Sequence, residues 1–358
     1  MRRSFLRPFV ATATLAVAAA CSDGGTAPVP LDPAGLQGDL ASAVAAGSAP
    51  ATESFGVASL AIGDILGDQM PAVIALPVAL LKDPAAQKLD GATLQLARAS
   101  TGTEPASIPA AALGVTFEYD AALDRYVAGE RGGAPANGVR FVLYAVDPAT
   151  EAFVEPLVET GYAEITRTVT NDRATARVQV FSGVANVTKV LDYAATVRGT
   201  LTVPELSVTG FARNASDSLA FALGSEVDLA RERLSINWRA AVPSRGLVTR
   251  LEQSIGGGEN PTISINSVIA SRNGRVGMSG TISLFGEGTL TVKVNGDTFA
   301  TIAMNGVEGE PTITGASGQP LTPEEEAMLE QIFEWFGDAF TWFSSLLAPV
   351  GPLLDAAI

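Results

Sequence analysis

The chain has 358 residues, of which 47% are hydrophobic and 17% charged, so it can bury the core of one large or two medium domains. Its formal net charge of −15 excludes the basic surface that binds nucleic acid through phosphates. The absence of histidine excludes Ser-His-Asp and Cys-His nucleophile systems and nearly all zinc, copper and iron sites, so no cofactor is expected.

The first twenty residues have the composition of a secretory signal. Three arginines lie among the first seven residues, an apolar run follows over residues 9–20, and small residues end it. The run is shorter than the roughly 20 apolar residues that span a bilayer. We therefore expect residues 1–20 to be a removable signal peptide and not an anchor.

Cys21 is the only cysteine, and the residues Val17-Ala-Ala-Ala-Cys21 resemble the lipobox of bacterial lipoproteins. That family usually has leucine three residues before the cysteine, where this chain has Ala18. The resemblance implies that diacylglycerol alkylates the Cys21 thiol and that cleavage makes Cys21 the first residue. The alternative is a chance cysteine beside an ordinary signal, although a lone free thiol is a liability in an exported protein.

The start Arg2-Arg-Ser-Phe-Leu-Arg7 also resembles a twin-arginine export signal, which implies export of the folded protein. An ordinary secretory signal that contains two arginines is the alternative. Both routes predict an exported protein anchored by lipid to the cell envelope, at the outer membrane if the cell is Gram-negative.

Residues 21–33 are rich in glycine and proline and predict a short tether behind the lipidated cysteine. Removal of the three signal arginines from 23 basic residues leaves 20, against 38 acidic residues, and a net charge of −18. Anionic headgroups would repel such a body. The acyl chains on Cys21 would therefore hold the protein to the membrane.

Residues 34–111 are rich in alanine and are predicted to be helical or irregular. Asp32-Pro33 is typical of a helix start, because aspartate caps the first turn and proline suits the first helical position. Residues 72–81 form an apolar run that is too short to cross a membrane.

Residues 112–315 change to strands and turns and predict a large antiparallel meander that forms a curved sheet. Gly138–Asp147 reads as a buried strand, and residues 177–181 and 263–265 alternate between polar and apolar. Asn273-Gly274 favours a two-residue turn. Such a turn pairs Ile269 with Met278 and Ile265 with Ile282.

A two-residue turn at Asn295-Gly296 would place the apolar residues of the two strands on opposite faces. We therefore predict a three-residue loop over Val294–Gly296, with the glycine in the left-handed conformation. This loop places Leu290 opposite Ala300 and keeps the apolar residues on one face.

Residues 322–347 predict a C-terminal amphipathic helix. Thr322, Pro323 and Glu325 form a capping box, and apolar residues then recur at helical spacing. Core packing against the sheet is the simplest interpretation of its aromatic stripe. The sharper hypothesis is a groove or lid for an apolar ligand, and a third is contact of the flanking tryptophans with lipid or a partner. The groove or lid face would consist of Phe333, Phe336, Phe340 and Phe343.

The sequence therefore predicts an α+β fold, with residues 34–347 as one structural unit. No spacing singles out a pair among the 38 acidic residues, and no calcium loop, phosphate loop or Gly-x-Ser-x-Gly elbow occurs. We expect a non-enzymatic envelope protein that binds an apolar small molecule or an envelope protein. The alternative is a structural or assembly lipoprotein without a pocket, and the third hypothesis is a hydrolase that uses acidic residues.

Overall fold

A computed structural model shows that most of the chain forms a single large β-sheet with helices packed against it. It describes residues 31–66 and 108–334, except for positions 151, 171–172, 201–202, 229, 232, 257–260, 284–285 and 307–308. The predicted α+β class is confirmed. Among the described residues, no helix has the length and apolar character needed to cross a membrane.

Two helices precede the sheet, α1 (Pro33–Gly47) and α2 (Pro50–Leu66). The predicted cap of α1 is confirmed, because the Asp32 carboxylate accepts a hydrogen bond from the Gly35 N–H at 3.0 Å. Leu36 on α1 is fully buried, as are Phe55 and Ile62 on α2. Both helices therefore contribute their apolar sides to the core that they share with the sheet.

The first strands along the chain are short, and most of the strands from β6 onward are longer. They are β1 (Thr116–Asp120), β2 (Arg125–Ala128), β3 (Gly138–Tyr144), β4 (Val146–Asp147), β5 (Ala152–Phe153), β6 (Glu159–Thr170), β7 (Arg173–Ser182), β8 (Thr188–Thr200), β9 (Val203–Arg213), β10 (Ser218–Asp228), β11 (Arg233–Val242), β12 (Leu247–Gly256), β13 (Thr262–Ser271), β14 (Gly274–Ser283), β15 (Glu287–Val294), β16 (Asp297–Asn305) and β17 (Thr312–Gly315). A 3-10 turn at Pro243–Arg245 joins β11 to β12.

Within the described residues, the sheet has 15 strands in the order β17 down to β6, then β3, β1 and β2. From β6 to β17, each strand pairs in antiparallel orientation with the next strand in the chain, so the predicted meander is confirmed for this part. The exception is the parallel pair of β1 and β3, which the sequence analysis did not anticipate. Strands β4 and β5 form a separate small hairpin.

The sheet has two unlike faces, because successive side chains of a strand point to opposite sides. On β7, for example, Val178 and Val180 are fully buried, while Arg177 and Gln179, which alternate with them, reach solvent. We call the buried side, on which α1 and α2 pack, the inner face, and the opposite side the outer face. The core of the molecule lies on the inner face.

The hairpin between β13 and β14 differs from the prediction by two residues. Ser271 pairs with Gly274, so the turn residues are Arg272 and Asn273, and Ile269 faces Val276 instead of Met278. The physical reason is a contact with α1, because the Asn273 carbonyl accepts the Asp32 N–H at 2.8 Å. A shift of two residues leaves the same side chains on the inner face.

The hairpin between β15 and β16 also corrects the prediction. The loop has two residues, Asn295 and Gly296, with φ of 53° and 101°. The required one-residue offset comes from a bulge in the ladder beside Val292 and Lys293. Leu290 therefore faces Ile302, and both are buried on the inner face.

Residues 323–334 are helical and are called α3. The predicted capping box is confirmed: the Thr322 N–H donates to Glu325 at 2.8 Å, and the Glu325 N–H donates to the Thr322 hydroxyl at 3.3 Å. Leu329 and Ile332 are buried in the shared core. This part of the C-terminal helix therefore packs against the body of the protein.

Gly280 on β14 is expected to tolerate no side chain. A Cβ atom there would lie 2.0 Å from the Thr289 carbonyl oxygen on β15, whereas one at Gly224 on β10 would meet nothing within 4 Å. We expect Gly280→Ala to lower the free energy of unfolding by about 1–3 kcal/mol and Gly224→Ala to change it by less than about 0.5 kcal/mol. Chemical denaturation of both variants checks this, and equal stabilities would contradict it.

Candidate binding surfaces

Polar side chains interrupt the apolar inner face where β10 to β13 lie side by side. We call them the inner polar set: Ser225, Trp238, Thr249, Gln253 and Ser267. Each is buried, with at most 5% of its surface exposed. Alternation along each strand points them inward, because they share the side of Leu223, Ile236 and Leu251.

The strand register brings the members of this set close together. Ile236 on β11 pairs with Ser225 on one side and with Gln253 on the other. Two strand spacings therefore separate Ser225 from Gln253, or about 10 Å. Leu251 pairs with Trp238 on one side and Ser267 on the other, one row along the same face.

Two members of the set donate hydrogen bonds to neighbouring strands, and two others have a polar atom without a hydrogen-bond partner among the described residues. The Thr249 hydroxyl donates to the Ala240 carbonyl at 3.5 Å, and the Ser267 hydroxyl donates to the Met278 carbonyl at 3.3 Å. The Gln253 amide nitrogen and the Ser225 hydroxyl make no hydrogen bond to any residue that the structure describes. An unsatisfied buried polar group costs about 1–3 kcal/mol, so each of these two groups calls for a partner such as an ordered water or a bound molecule.

The surroundings of Gln253 are otherwise apolar. Leu251 and Ile255 flank it on the same face of β12, and Ile236 and Ile265 face it from the neighbouring strands. Pockets for small apolar molecules combine such linings with a few convergent polar groups that fix the orientation of the ligand. This part of the inner face has both features.

A second surface is an open groove of about 590 Å³ on the outer face of β6 to β9. Its lining contains four threonines, one ion pair and one aromatic ring: Thr166, Thr168, Thr175, Arg177, Asp192, Ala194, Thr209, Gly210 and Phe211. The groove is open to solvent, whereas the inner polar set is buried.

Asp192 organises the charged side chains of this groove. It accepts two hydrogen bonds from Arg177, both at 2.8 Å, one from Lys189 at 2.8 Å and one from Gln179 at 3.1 Å. Burial raises its pKa, but these hydrogen bonds outweigh burial and lower the pKa to about 2. Asp192 is therefore a fully satisfied carboxylate that holds side chains of β7 and β8 in place, and it is unsuited to proton transfer at neutral pH.

A smaller polar recess of about 380 Å³ lies where α1 meets the turns of the sheet. It is lined by Asp39, Asp217, Ser244, Arg245, Arg272 and Asn273. Asp217 is paired with Arg245 at 3.1 Å, and Asp39 accepts a hydrogen bond from Asn273 at 2.8 Å. The bond between Asp39 and Asn273 fixes α1 on the sheet, and the pair of Asp217 and Arg245 joins two of the turns.

The described carboxyl groups with shifted pKa values offer no general acid. Hydrogen bonds from arginine side chains lower the pKa of Glu159 and Asp217. A hydrogen bond from the Arg231 backbone N–H is the largest cause of the lowered pKa of Asp228. A glycosidase requires an acid whose pKa is raised. Across the residues that the structure describes, no group of three acidic, histidine or cysteine side chains could hold a metal ion.

The residues proposed from the sequence fall in two places. Cys21 and three members of the predicted groove or lid face (Phe336, Phe340 and Phe343) lie outside the described residues, so their roles stay predictions. The fourth member, Phe333, is 40% exposed, while Ile332 beside it is fully buried. The inner polar set was missed, since its members are dispersed over four strands.

Comparison of the chain with protein-family models, with curated proteins and with solved structures found no match. The assignment of a function therefore depends on the residues and contacts described above.

Proposed function

We propose that this protein is an exported, lipid-anchored protein of the cell envelope that binds an apolar ligand and performs no chemistry. The ligand would contact the inner face near β11 to β13 and would carry a hydrogen-bond acceptor for the Gln253 amide. Gram-negative cells would hold it at the outer membrane, through acyl chains on Cys21.

One observation carries the binding proposal: the Gln253 amide nitrogen is buried among isoleucine and leucine side chains without a partner among the described residues. Leucine at this position would avoid the desolvation penalty of an unpartnered amide, because it is apolar and similar in size. Ser225, at the same level two strands away, offers a second polar group to the same molecule.

The lipid anchor is supported by the sequence around Cys21 and by the charge of the body. The mature chain would have a net charge of −18, which disfavours electrostatic attachment to anionic lipid. Two or more acyl chains give stable anchoring without any help from charge. A structural envelope lipoprotein with a filled interior is the competing proposal.

Native mass spectrometry of the domain without residues 1–21, purified from its own host, distinguishes these proposals. We expect a fraction of the protein to carry an additional mass in the range of a lipid or another apolar small molecule. Organic extraction should release that mass and identify its class. A homogeneous mass of the bare chain would contradict ligand binding and favour the structural proposal.

A further inference from the structure

One end of the sheet carries α1 and the start of the folded body, and we call it the tether end. Its turns are residues 121–124, 145–158, 183–187, 214–217, 243–246, 272–273 and 295–296. Helix α1 lies along this end, because Asp32 at its start bonds the Asn273 carbonyl and Ala45 near its other end accepts a hydrogen bond from Asn214 at 2.9 Å.

The proposed lipid anchor would bring this end close to the bilayer. Leu31 lies ten positions after Cys21, so the chain from one to the other reaches at most about 35 Å. Leu31 is partly buried and packs against the core beside Gly274, at the turn between β13 and β14. A lipidated Cys21 therefore holds the tether end, and not the opposite end, near the membrane surface.

Six exposed apolar side chains lie at the same end. Of the large hydrophobic residues that are exposed in the described part of the chain, those at the tether end are Val44, Leu123, Val154, Val158, Val184 and Val187. Val184 is 67% exposed and Val158 is 54% exposed. Of the other exposed large hydrophobic residues that the structure describes, Leu113 and Val169 lie at the opposite end, Ile313 on β17 and Phe333 on α3. The tether end therefore offers an apolar contact area on the side that the anchor would hold near a bilayer.

The turns that carry these valines are held by backbone hydrogen bonds. The Val154 N–H donates to the Ala145 carbonyl and the Ala145 N–H donates to the Val158 carbonyl, both at 2.8 Å. Phe153 packs edge-on against Tyr119 at 4.5 Å, which fixes the hairpin of β4 and β5 to the sheet. The apolar side chains are therefore presented on an ordered backbone.

We propose that the tether end is a membrane-contact surface whose exposed valines and Leu123 enter the headgroup region of the bilayer. This inference rests on the proposed anchoring through Cys21. The partner is a zwitterionic lipid surface and not an anionic one, because the mature chain would have a net charge of −18, which anionic headgroups repel. Contact should therefore depend little on salt.

Single-cysteine labelling tests the orientation. Val184→Cys places a label at the tether end, and Val169→Cys is the matched control, an exposed valine at the opposite end of the sheet. Lipidated Cys21 has no free thiol, so an environment-sensitive dye reacts with the introduced cysteine alone. The labelled, lipidated protein is reconstituted into phosphatidylcholine vesicles. Quenching of its label by iodide is compared with quenching of the same label on protein that also carries Cys21→Ala and is therefore unlipidated, in solution without vesicles.

We expect vesicle attachment to shift the emission of the label at position 184 to the blue and to protect it from iodide, while the label at position 169 stays fully quenched. Equal quenching of both labels on vesicle-bound, lipidated protein would overturn the orientation and leave the anchor intact. An intact mass that shows an unmodified Cys21, together with a failure to bind vesicles, would overturn the anchor and this inference with it.

Discussion

Replacing Cys21 with alanine is expected to move nearly all of this protein from the membrane fraction to the soluble fraction. Each methylene of an acyl chain that enters the bilayer contributes about 0.8 kcal/mol, and two chains together give stable attachment. The acidic body provides no electrostatic attraction that could replace them. Fractionation of cells, with quantitative blotting of both fractions, measures the change.

Ser22→Ala is the matched control, because it alters the next residue and leaves the cysteine intact. We expect this variant to stay in the membrane fraction. If Cys21→Ala remained there through a wash with high salt, lipidation would not be the means of attachment. The tether-end valines would then have to account for it alone.

The second large effect is expected at Gln253. Gln253→Leu should raise the free energy of unfolding of the ligand-free protein by about 1–2 kcal/mol, because it removes a buried amide that lacks a partner and adds an apolar side chain of similar volume. The same substitution should lower the amount of ligand that copurifies from the host. Chemical denaturation and native mass spectrometry measure the two quantities separately.

Gln179→Leu provides the comparison, since Gln179 lies on the outer face and donates to Asp192 at 3.1 Å. We expect this variant to lose about 0.5–1.5 kcal/mol of stability and to keep its ligand. Opposite signs of the two stability changes are the diagnostic result. A Gln253→Leu protein that is destabilised and retains ligand would show that the amide has a structural role.

Local features of the fold could be predicted from the sequence because their determinants are adjacent in the chain. The cap at Asp32 and the capping box at Thr322 and Glu325 each depend on residues three positions apart. Both were predicted and both are present. The change from helical to strand patterning near residue 112 likewise follows from residue spacing alone.

The hairpin registers could not be predicted, because each depends on a contact or irregularity that local rules omit. Asn273 is held by α1 through Asp32 and Asp39, more than 230 positions earlier in the chain. At Asn295-Gly296 the turn rule was correct, and the offset lies in a bulge beside Val292. The inner face was nevertheless predicted correctly at Ile269 and Leu290, because both errors moved the pairing by two residues.

The candidate site was beyond sequence reasoning for a related physical reason. Gln253 is preceded by Leu247, Thr249 and Leu251 at alternate positions, so a polar side chain on the inner face of β12 could have been noticed. Its proximity to Ser225 and its lack of a partner, however, are consequences of pairing across three strands. A sequence signal exists for inward polar residues, but none exists for their convergence.

The central claim is that the Gln253 amide binds an apolar ligand on the inner face. An experimentally determined structure of the domain purified from its own host tests it most directly, through the density next to the Gln253 nitrogen. We predict elongated non-protein density with an acceptor atom within about 3.2 Å of that nitrogen. Side chains of this protein that fill the same space and bond the amide would contradict the claim.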